Sequence, residues 1–268
     1  MKLEKFLRQN PVFTDKEFVK FLGSKGALKA RAQESLLAYH TRTGRLLRVR
    51  RGLYAVVPVG VNPETYPFDP FLLAAKMVDD SVLAYHTALE FHGKAYSVQS
   101  QFSLLTRRAA RALTFRTFNF RPVMFPKALR AKGKENFEVM VGERSGLEVR
   151  VTSLERTLVD VLDRPYLSGS WEEIWRSLES VEFFDLDKVV EYTSLLENAT
   201  TAAKVGFFLD QHRETLMVEK SYLERLREFR PRQPHYLERS RRKAGRLVPG
   251  WNLVVPPVVL ERSWAEVT

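Results

Sequence analysis

The chain of 268 residues contains no cysteine, so it can form neither a disulfide bond nor a thiolate metal site. It also lacks any apolar run close to the roughly 20 residues that a membrane-spanning helix requires. No apolar stretch follows the first few residues, as a secretory signal peptide would need. These absences predict a cytoplasmic protein with no membrane segment.

Sequence motifs of several enzyme classes are absent as well. There is no phosphate-binding loop, no dinucleotide fingerprint and no nucleophile elbow. The five histidines are scattered along the chain, and their spacing is not that of metal ligands on one helix. We therefore predict no catalytic residue, no metal site and no cofactor.

What the chain has in excess is positive charge near its start. Its formal net charge is +11, and residues 1–60 hold 13 Lys+Arg against 4 Asp+Glu, a net charge of +9. The other residues together carry a net charge of only +2. A polyanion is the natural partner of such a segment.

The basic segment also has a readable order of elements. A long helix is predicted to stop at Gly44, because the position after a helix favours positive φ. Two short strands follow, Leu46–Arg50 and Leu53–Val57. Two shorter helices come first, and the second starts at the capping-box spacing of Thr14 and Glu17. Three helices followed by an arginine-rich hairpin are the plan of a winged helix-turn-helix.

This plan assigns residues to DNA contacts. On the third helix one apolar face would pack inward, and it consists of Ala32, Leu36, Tyr39, His40 and Thr43. The opposite face would enter the major groove, which is about 12 Å wide, while the hairpin reaches phosphates or the minor groove. The predicted contacts are Arg31, Ser35 and Arg42 on the helix face, Lys25 and Lys29 at phosphates near its start, and Arg45, Arg48, Arg50 and Arg51 on the hairpin. The alternative is a solvated basic hairpin in some other small domain.

Residues 61–268 predict a second, larger domain. Apolar alternation over residues 96–151 predicts an antiparallel sheet of about four strands, and helical patterns after Ser153 predict a C-terminal helical part. The predicted fold class is therefore α+β, with the winged helix-turn-helix at 1–60. Lys94 to Lys134 holds ten Lys+Arg and no acid, which predicts a second basic surface, whereas Glu135 to Glu219 carries a net charge of −10.

Within the helical part, the helix from Ser153 to Arg164 offers an ion pair between Arg156 and Asp160. Their spacing of four residues predicts a pair on the solvent face, worth a few tenths of a kcal/mol.

Three stretches resemble the AbiEi-like antitoxins, a family of transcriptional regulators of type IV toxin–antitoxin loci that act in phage abortive infection. The stretches are Gly44–Tyr54, with its Gly-x-Tyr end; Phe68–Ala75 with Ala88–Gly93; and Val151–Pro165, the most specific of them.

The resemblance implies a winged-helix domain that represses its own operon by binding inverted repeats in double-stranded promoter DNA. It implies a C-terminal domain that counteracts a nucleotidyltransferase-type toxin, with which members need not form a stable complex. The expected protein is a monomer or weak dimer that binds DNA cooperatively and has no catalytic residues of its own.

Two other functions stay open from the sequence. Gly169-Ser170 followed by Asp185-Leu186-Asp187 loosely imitates a nucleotidyltransferase, so a Mg²⁺-dependent nuclease or nucleotidyltransferase is the alternative function. However, both motifs directly precede helical patterns, which favours a helix-capping role for their polar residues. In a third interpretation the second domain serves only for oligomerisation.

Overall fold

The computed structural model describes residues 2–23, 27–238 and 245–266, with the side chains of all of these except 27–30 and 265–266. The helices are α1 Lys2–Gln9, α2 Asp15–Leu22, α3 Ala27–Arg42, α4 Pro70–Ala75, α5 His86–Phe91, α6 Lys127–Lys132, α7 Leu154–Asp163, α8 Trp171–Glu179, α9 Leu186–Leu195, α10 Ala199–Gln211, α11 Lys220–Glu228 and α12 Pro257–Leu260. Short 3₁₀ helices cover Pro165–Leu167 and Ser263–Glu266. The strands are β1 Val12–Thr14, β2 Leu46–Arg50, β3 Leu53–Val56, β4 Val82–Leu83, β5 Gln101–Thr106, β6 Leu113–Phe115, β7 Phe118–Met124, β8 Val139–Arg144, β9 Leu147–Thr152, β10 His235–Tyr236, β11 Arg246–Val248 and β12 Leu253–Val255.

The N-terminal unit consists of α1 to α3 and an antiparallel sheet with strand order β1-β3-β2. The predicted helices and hairpin are confirmed, as is the capping box, in which Thr14 and Glu17 satisfy each other's backbone N–H groups. Gly44 follows α3 with φ +71°, as predicted for a residue that ends a helix. Strand β1 was not predicted, because three residues are too short for alternation to identify a strand.

Both faces of this small sheet are buried. On one face Phe13, Leu46 and Tyr54 pack with the aromatic residues of α1 and α2. On the other face Leu53 and Ala55 join a hydrophobic cluster that includes α4 and β5 of the following unit. The predicted boundary between residues 60 and 61 therefore crosses a shared core, and the division into two domains stays a prediction.

Charged contacts reinforce this junction. Lys16 at the start of α2 lies 2.5 Å from the carboxylate of Asp79, and Lys76 donates a hydrogen bond to Glu17. Burial alone would raise the pKa of Glu17, but the hydrogen bonds from Lys76 and Thr14 lower it overall. The residues that follow α4 thus hold the start of α2 in place.

The second unit contains a six-stranded sheet of order β6-β7-β5-β4-β9-β8. The prediction of an antiparallel sheet is wrong for this element, because β5 pairs with β7 and β4 with β9 in parallel. The chain reaches β7 through the β6–β7 hairpin, which places β7 beside β5 in the same direction. Apolar alternation identifies a strand but not the direction of its neighbour, and β4 is only two residues long.

A helical part follows, as predicted. Helices α7 to α11 and the strands of the small sheet β10-β12-β11 surround one hydrophobic core, in which Trp175 and Trp251 are fully buried. The chain as a whole is α+β. Among the described residues no helix is both long enough and apolar enough to cross a membrane.

The ion pair between Arg156 and Asp160 is buried rather than exposed, so the sequence-based prediction was wrong. The two side chains are 0% and 1% exposed, with Arg156 Nε 3.3 Å from the Asp160 carboxylate. Arg156 also donates to the backbone oxygens of Glu135 and Phe137, and Tyr192 donates to Asp160 at 2.7 Å. The residues before β8 and helix α9 cover a helix face that spacing alone marked as polar.

Replacing Asp160 by asparagine should lower the free energy of unfolding by about 3–5 kcal/mol, because Arg156 would keep a buried charge without its partner. Denaturant unfolding measures the loss. The matched control is Glu172→Gln, which breaks an Arg–Glu pair of the same spacing at the surface and should cost less than about 1 kcal/mol. Equal losses in the two variants would contradict the burial of the first pair.

Replacing Gly206 by alanine should destabilise the protein, although alanine favours a helix by about 1 kcal/mol. An added Cβ would lie 2.1 Å from the Trp251 ring, so the packing cost of roughly 1–3 kcal/mol should prevail. A double-mutant cycle with Trp251→Leu checks the cause, because the penalty should shrink once the ring is gone. An unchanged penalty would mean that the ring is not the obstacle.

Candidate nucleic-acid interface

The exposed face of α3 is the first part of the candidate interface. Arg31, Ser35, Ala38 and Arg42 lie along one stripe and are all exposed, as predicted from the sequence. The inward face differs from the prediction, because Leu37, which was not assigned to it, is buried, whereas Tyr39 is 52% exposed. A helix that rests on a small sheet buries a narrow stripe, so much of its circumference stays in solvent.

The hairpin that follows α3 turns tightly at Arg51–Gly52. Gly52 has φ +77°, and its carbonyl oxygen accepts a hydrogen bond from the Asp15 backbone N–H at 3.0 Å. A Cβ added at Gly52 would lie 2.9 Å from the Asp15 carboxylate. The turn therefore needs glycine both for its backbone conformation and for its close approach to α2.

The hairpin arginines do not all point the same way, because β2 contains a bulge. Arg48 pairs with Tyr54 and Arg50 with Leu53, so Val49 is an extra residue between them. Cross-strand partners share a face of the sheet. Arg48 is therefore exposed on the helix side, whereas Arg50 turns to the second unit.

Two of the predicted contacts are engaged inside the molecule. Arg50 donates a hydrogen bond to the backbone oxygen of Met77. Arg45 is only 17% exposed and donates to the Val57 oxygen at 2.6 Å and to Glu4 at 2.7 Å. Arg45 thus stabilises the N-terminal unit, and Arg50 links that unit to the second unit. The described hydrogen bonds of both guanidinium groups lie inside the molecule.

Three of the four remaining predicted arginines lie at a groove of about 630 Å³ between α3 and the hairpin. Arg42, Arg48 and Arg51 all line it. Within the described part of the chain none of these three side chains has an ion-pair or hydrogen-bond partner. The groove also holds Gln33 and Glu34, which the sequence analysis had not assigned to the interface. The sequence does not indicate this position, because the groove forms only where the hairpin lies beside that side of α3.

Two predicted phosphate contacts cannot be compared with this geometry. Lys25 lies outside the described residues, and so does the side chain of Lys29.

The second basic segment is partly neutralised by the fold. Arg116 donates to the backbone oxygens of Pro63 and Tyr66, and Lys132 pairs with Glu197 at 2.7 Å. Arg107 pairs with Glu135 in the same way. The other exposed basic side chains of the segment are in no described ion pair, although two of them, Arg116 and Arg130, donate to backbone oxygens; they are Arg108, Arg111, Arg116, Arg121, Lys127, Arg130 and Lys134. The predicted basic surface thus carries less unpaired positive charge than its ten Lys and Arg residues suggest.

A larger cleft of about 1000 Å³ lies in the second unit, and Gly169 and Ser170 line it. Ser170 caps α8 by accepting from the Glu173 N–H at 3.1 Å, and Asp185 caps α9 in the same way. The capping roles expected from the sequence are therefore confirmed.

Asp187, the other carboxylate of the suggested pair, is held elsewhere. Arg225 donates to it at 2.6 Å and Tyr222 at 3.1 Å, and these bonds lower its pKa. It does not line the cleft. Over residues 2–23, 27–238 and 245–266, no three His, Asp or Glu side chains are placed to share a metal ion.

Comparison with known proteins adds three findings. No curated protein matches the chain. The crystal structure of RV2827C protein from Mycobacterium tuberculosis is similar over 98% of this chain and 94% of that chain, with a TM-score of 0.59 and 17% identity, a likeness of fold alone. Residues 1–57 match the family model described as "Transcriptional regulator, AbiEi antitoxin". The predicted resemblance is thereby confirmed for the N-terminal unit, and the resemblance of the stretches beyond residue 57 remains a prediction. The first 57 residues of this chain are similar to the AbiEi antitoxins that regulate transcription.

Proposed function

We propose that the protein is a DNA-binding transcriptional autorepressor whose N-terminal unit is a winged helix-turn-helix. The order of α2, α3 and the β2–β3 hairpin supports this assignment, because a helix pair followed by a hairpin is the plan of that motif. The family match over residues 1–57 supports it independently. In this proposal α3 lies in the major groove of double-stranded DNA.

The observation that carries the proposal is the groove between α3 and the hairpin. It gathers Arg42, Arg48 and Arg51 beside the exposed stripe of α3 that contains Arg31 and Ser35. A helix about 10–12 Å across fits a major groove of about 12 Å, which leaves the flanking arginines at the sugar–phosphate backbone. Charged contacts there position a protein on the duplex.

The proposed set of DNA contacts is therefore smaller than the set drawn from the sequence. It keeps Arg31, Ser35 and Arg42 on α3 and Arg48 and Arg51 on the hairpin. Arg45 and Arg50 leave it, since their hydrogen bonds lie inside the molecule. The operator in this proposal is an inverted repeat in the protein's own promoter, bound cooperatively by monomers or a weak dimer in the cytoplasm.

The larger unit is proposed to be the antitoxin part, which counteracts a nucleotidyltransferase-type toxin in a phage-defence locus. Two features support the proposal. The N-terminal residues match a family whose description names an antitoxin, and Val151–Pro165 resembles the same family's C-terminal domain. That stretch forms β9 and α7 and includes the buried Arg156 and Asp160. Such a role needs no catalytic residue and no stable complex with the toxin.

Replacing Arg48 and Arg51 together by alanine should weaken binding to the protein's own promoter DNA and flatten its dependence on salt. The slope of log K against log[salt] should fall by up to about two units, since each phosphate contact contributes about 0.9. Filter or anisotropy titrations over a salt series measure both quantities.

The control for this experiment is Arg50→Ala. It removes the same charge from the residue next to Arg51, but from a side chain that faces the second unit. The salt slope should stay unchanged and the free energy of unfolding should fall. A slope that falls by half as much as in the double variant, which removes two charges, would contradict the placement of Arg50.

Repression and toxin neutralisation should be separable. The double variant Arg48→Ala, Arg51→Ala should fail to silence a reporter behind its own promoter, yet should restore growth when the toxin gene adjacent to its own is induced. The reason is that both residues lie in the N-terminal unit, far along the chain from α7. If the variant is expressed at the wild-type level but no longer restores growth, the proposal that repression and neutralisation reside in different units is contradicted.

A further inference from the structure

Glu34 stands out among the acidic residues of the N-terminal unit. It is exposed on α3 and lines the groove together with Arg42, Arg48 and Arg51. Within the described part of the chain it has no ion-pair or hydrogen-bond partner, although Arg31 lies one helical turn away. A carboxylate on α3 is thus without a described partner in a groove that also gathers three arginines.

The other acidic residues of 1–60 make contacts that stabilise the fold. Glu4 pairs with Arg45, and Glu17 completes the capping box of α2 and binds Lys76. Asp15 is in the first turn of α2, where a negative charge is favourable, and its carboxylate lies beside Gly52. Glu34 has no comparable contact among the described residues, so no stabilising contact accounts for a glutamate at this position.

A free carboxylate at this position is unfavourable for binding to a polyanion. Facing phosphates it would be repelled, and it would lower affinity for DNA of any sequence. The repulsion is offset only where the duplex offers a hydrogen-bond donor. In the major groove cytosine presents its N4 amino group, and glutamate is a known type of acceptor for it. Guanine O6 and N7 and thymine O4 are acceptors, and adenine places its acceptor N7 beside its N6 donor, so a carboxylate is disfavoured at all three bases relative to cytosine.

We propose that Glu34 is a specificity-determining residue that selects a cytosine in the major groove of the operator. The inference rests on the proposed function, since it assumes that α3 lies in that groove. In this arrangement the arginines of the groove hold the backbone and supply affinity for any duplex. Glu34 lowers that general affinity and restores it only at sites that place a cytosine opposite its carboxylate.

The test is a selection from a pool of randomised DNA duplexes with the full-length protein, with Glu34→Gln and with Asp15→Asn. The wild-type protein should enrich a site with a fixed cytosine at one position of each half-site. Glu34→Gln should lower the preference for that cytosine by about tenfold and shift it toward adenine, whose N6 and N7 suit an amide. The same variant should bind random-sequence DNA more tightly than the wild-type protein does.

Asp15→Asn is the matched control, because it removes one acid from the same groove but from α2 instead of α3. It should tighten binding to random-sequence DNA and leave the cytosine preference intact. Thermal unfolding checks that both variants remain folded; glutamine has nearly the helix propensity of glutamate, so no loss is expected at position 34.

The outcomes separate the two proposals. If the wild-type protein enriches no sequence, the proposed function fails. If it enriches a sequence and Glu34→Gln enriches the same one with the same discrimination, the role of Glu34 is overturned while the proposed function stands. A preference that changes at a position without cytosine would also overturn it.

Discussion

The burial of the N-terminal sheet on both faces is the constraint on which the arrangement of the molecule depends. Strand β3 is apolar along its whole length because helices cover one face and the second unit covers the other. A sheet of three short strands buries little surface by itself, so its second face needs a partner. That partner is α4 with the strands behind it. The N-terminal unit is therefore attached through a continuous core, with the Lys16–Asp79 ion pair at its edge.

The same attachment decides which charges remain available for a ligand. The bulge at Val49 turns Arg50 toward Met77, and the end of β3 takes up the guanidinium of Arg45. In the sequence the hairpin arginines suggest one continuous basic surface. In the structure Arg45 and Arg50 make hydrogen bonds inside the molecule, whereas Arg48 and Arg51 line the groove. Electrostatic attraction to a polyanion still acts through the net charge of the unit, but close contacts can come only from side chains that reach solvent.

In the second unit, polar residues hold the structure more than the sequence suggests. Arg156, Asp160 and Tyr192 form one buried hydrogen-bonded group that joins α7 and α9 to the residues before β8. Such a group adds less stability than an apolar core of equal volume, yet it tolerates few alternative packings. The polar residues of Val151–Pro165, the stretch whose resemblance to the AbiEi-like family remains a prediction, are thus committed to the fold.

The sequence by itself determined the features that depend on neighbours along the chain. Helix α3 and its end at Gly44, the capping box at Thr14 and the β2–β3 hairpin follow from local backbone preferences and short-range hydrogen bonds. The concentration of positive charge in residues 1–60, and with it the choice of interface, is likewise a property of the sequence. Two of the four hairpin arginines, Arg48 and Arg51, are exposed to solvent, as their charge and position predict.

The other features, namely short strands, strand direction, side-chain burial and the groove, depend on tertiary packing. Strands β1 and β4 are too short to show a period, and the parallel pairing of β5 with β7 depends on where the chain returns. The inward turn of Arg50 and the burial of Asp160 depend on surfaces contributed by residues distant in sequence. Glu34 lines the groove for the same reason, since the groove exists only where α3 and the hairpin lie side by side. Periodicity records which residues share a face of one element, and only packing determines what that face meets.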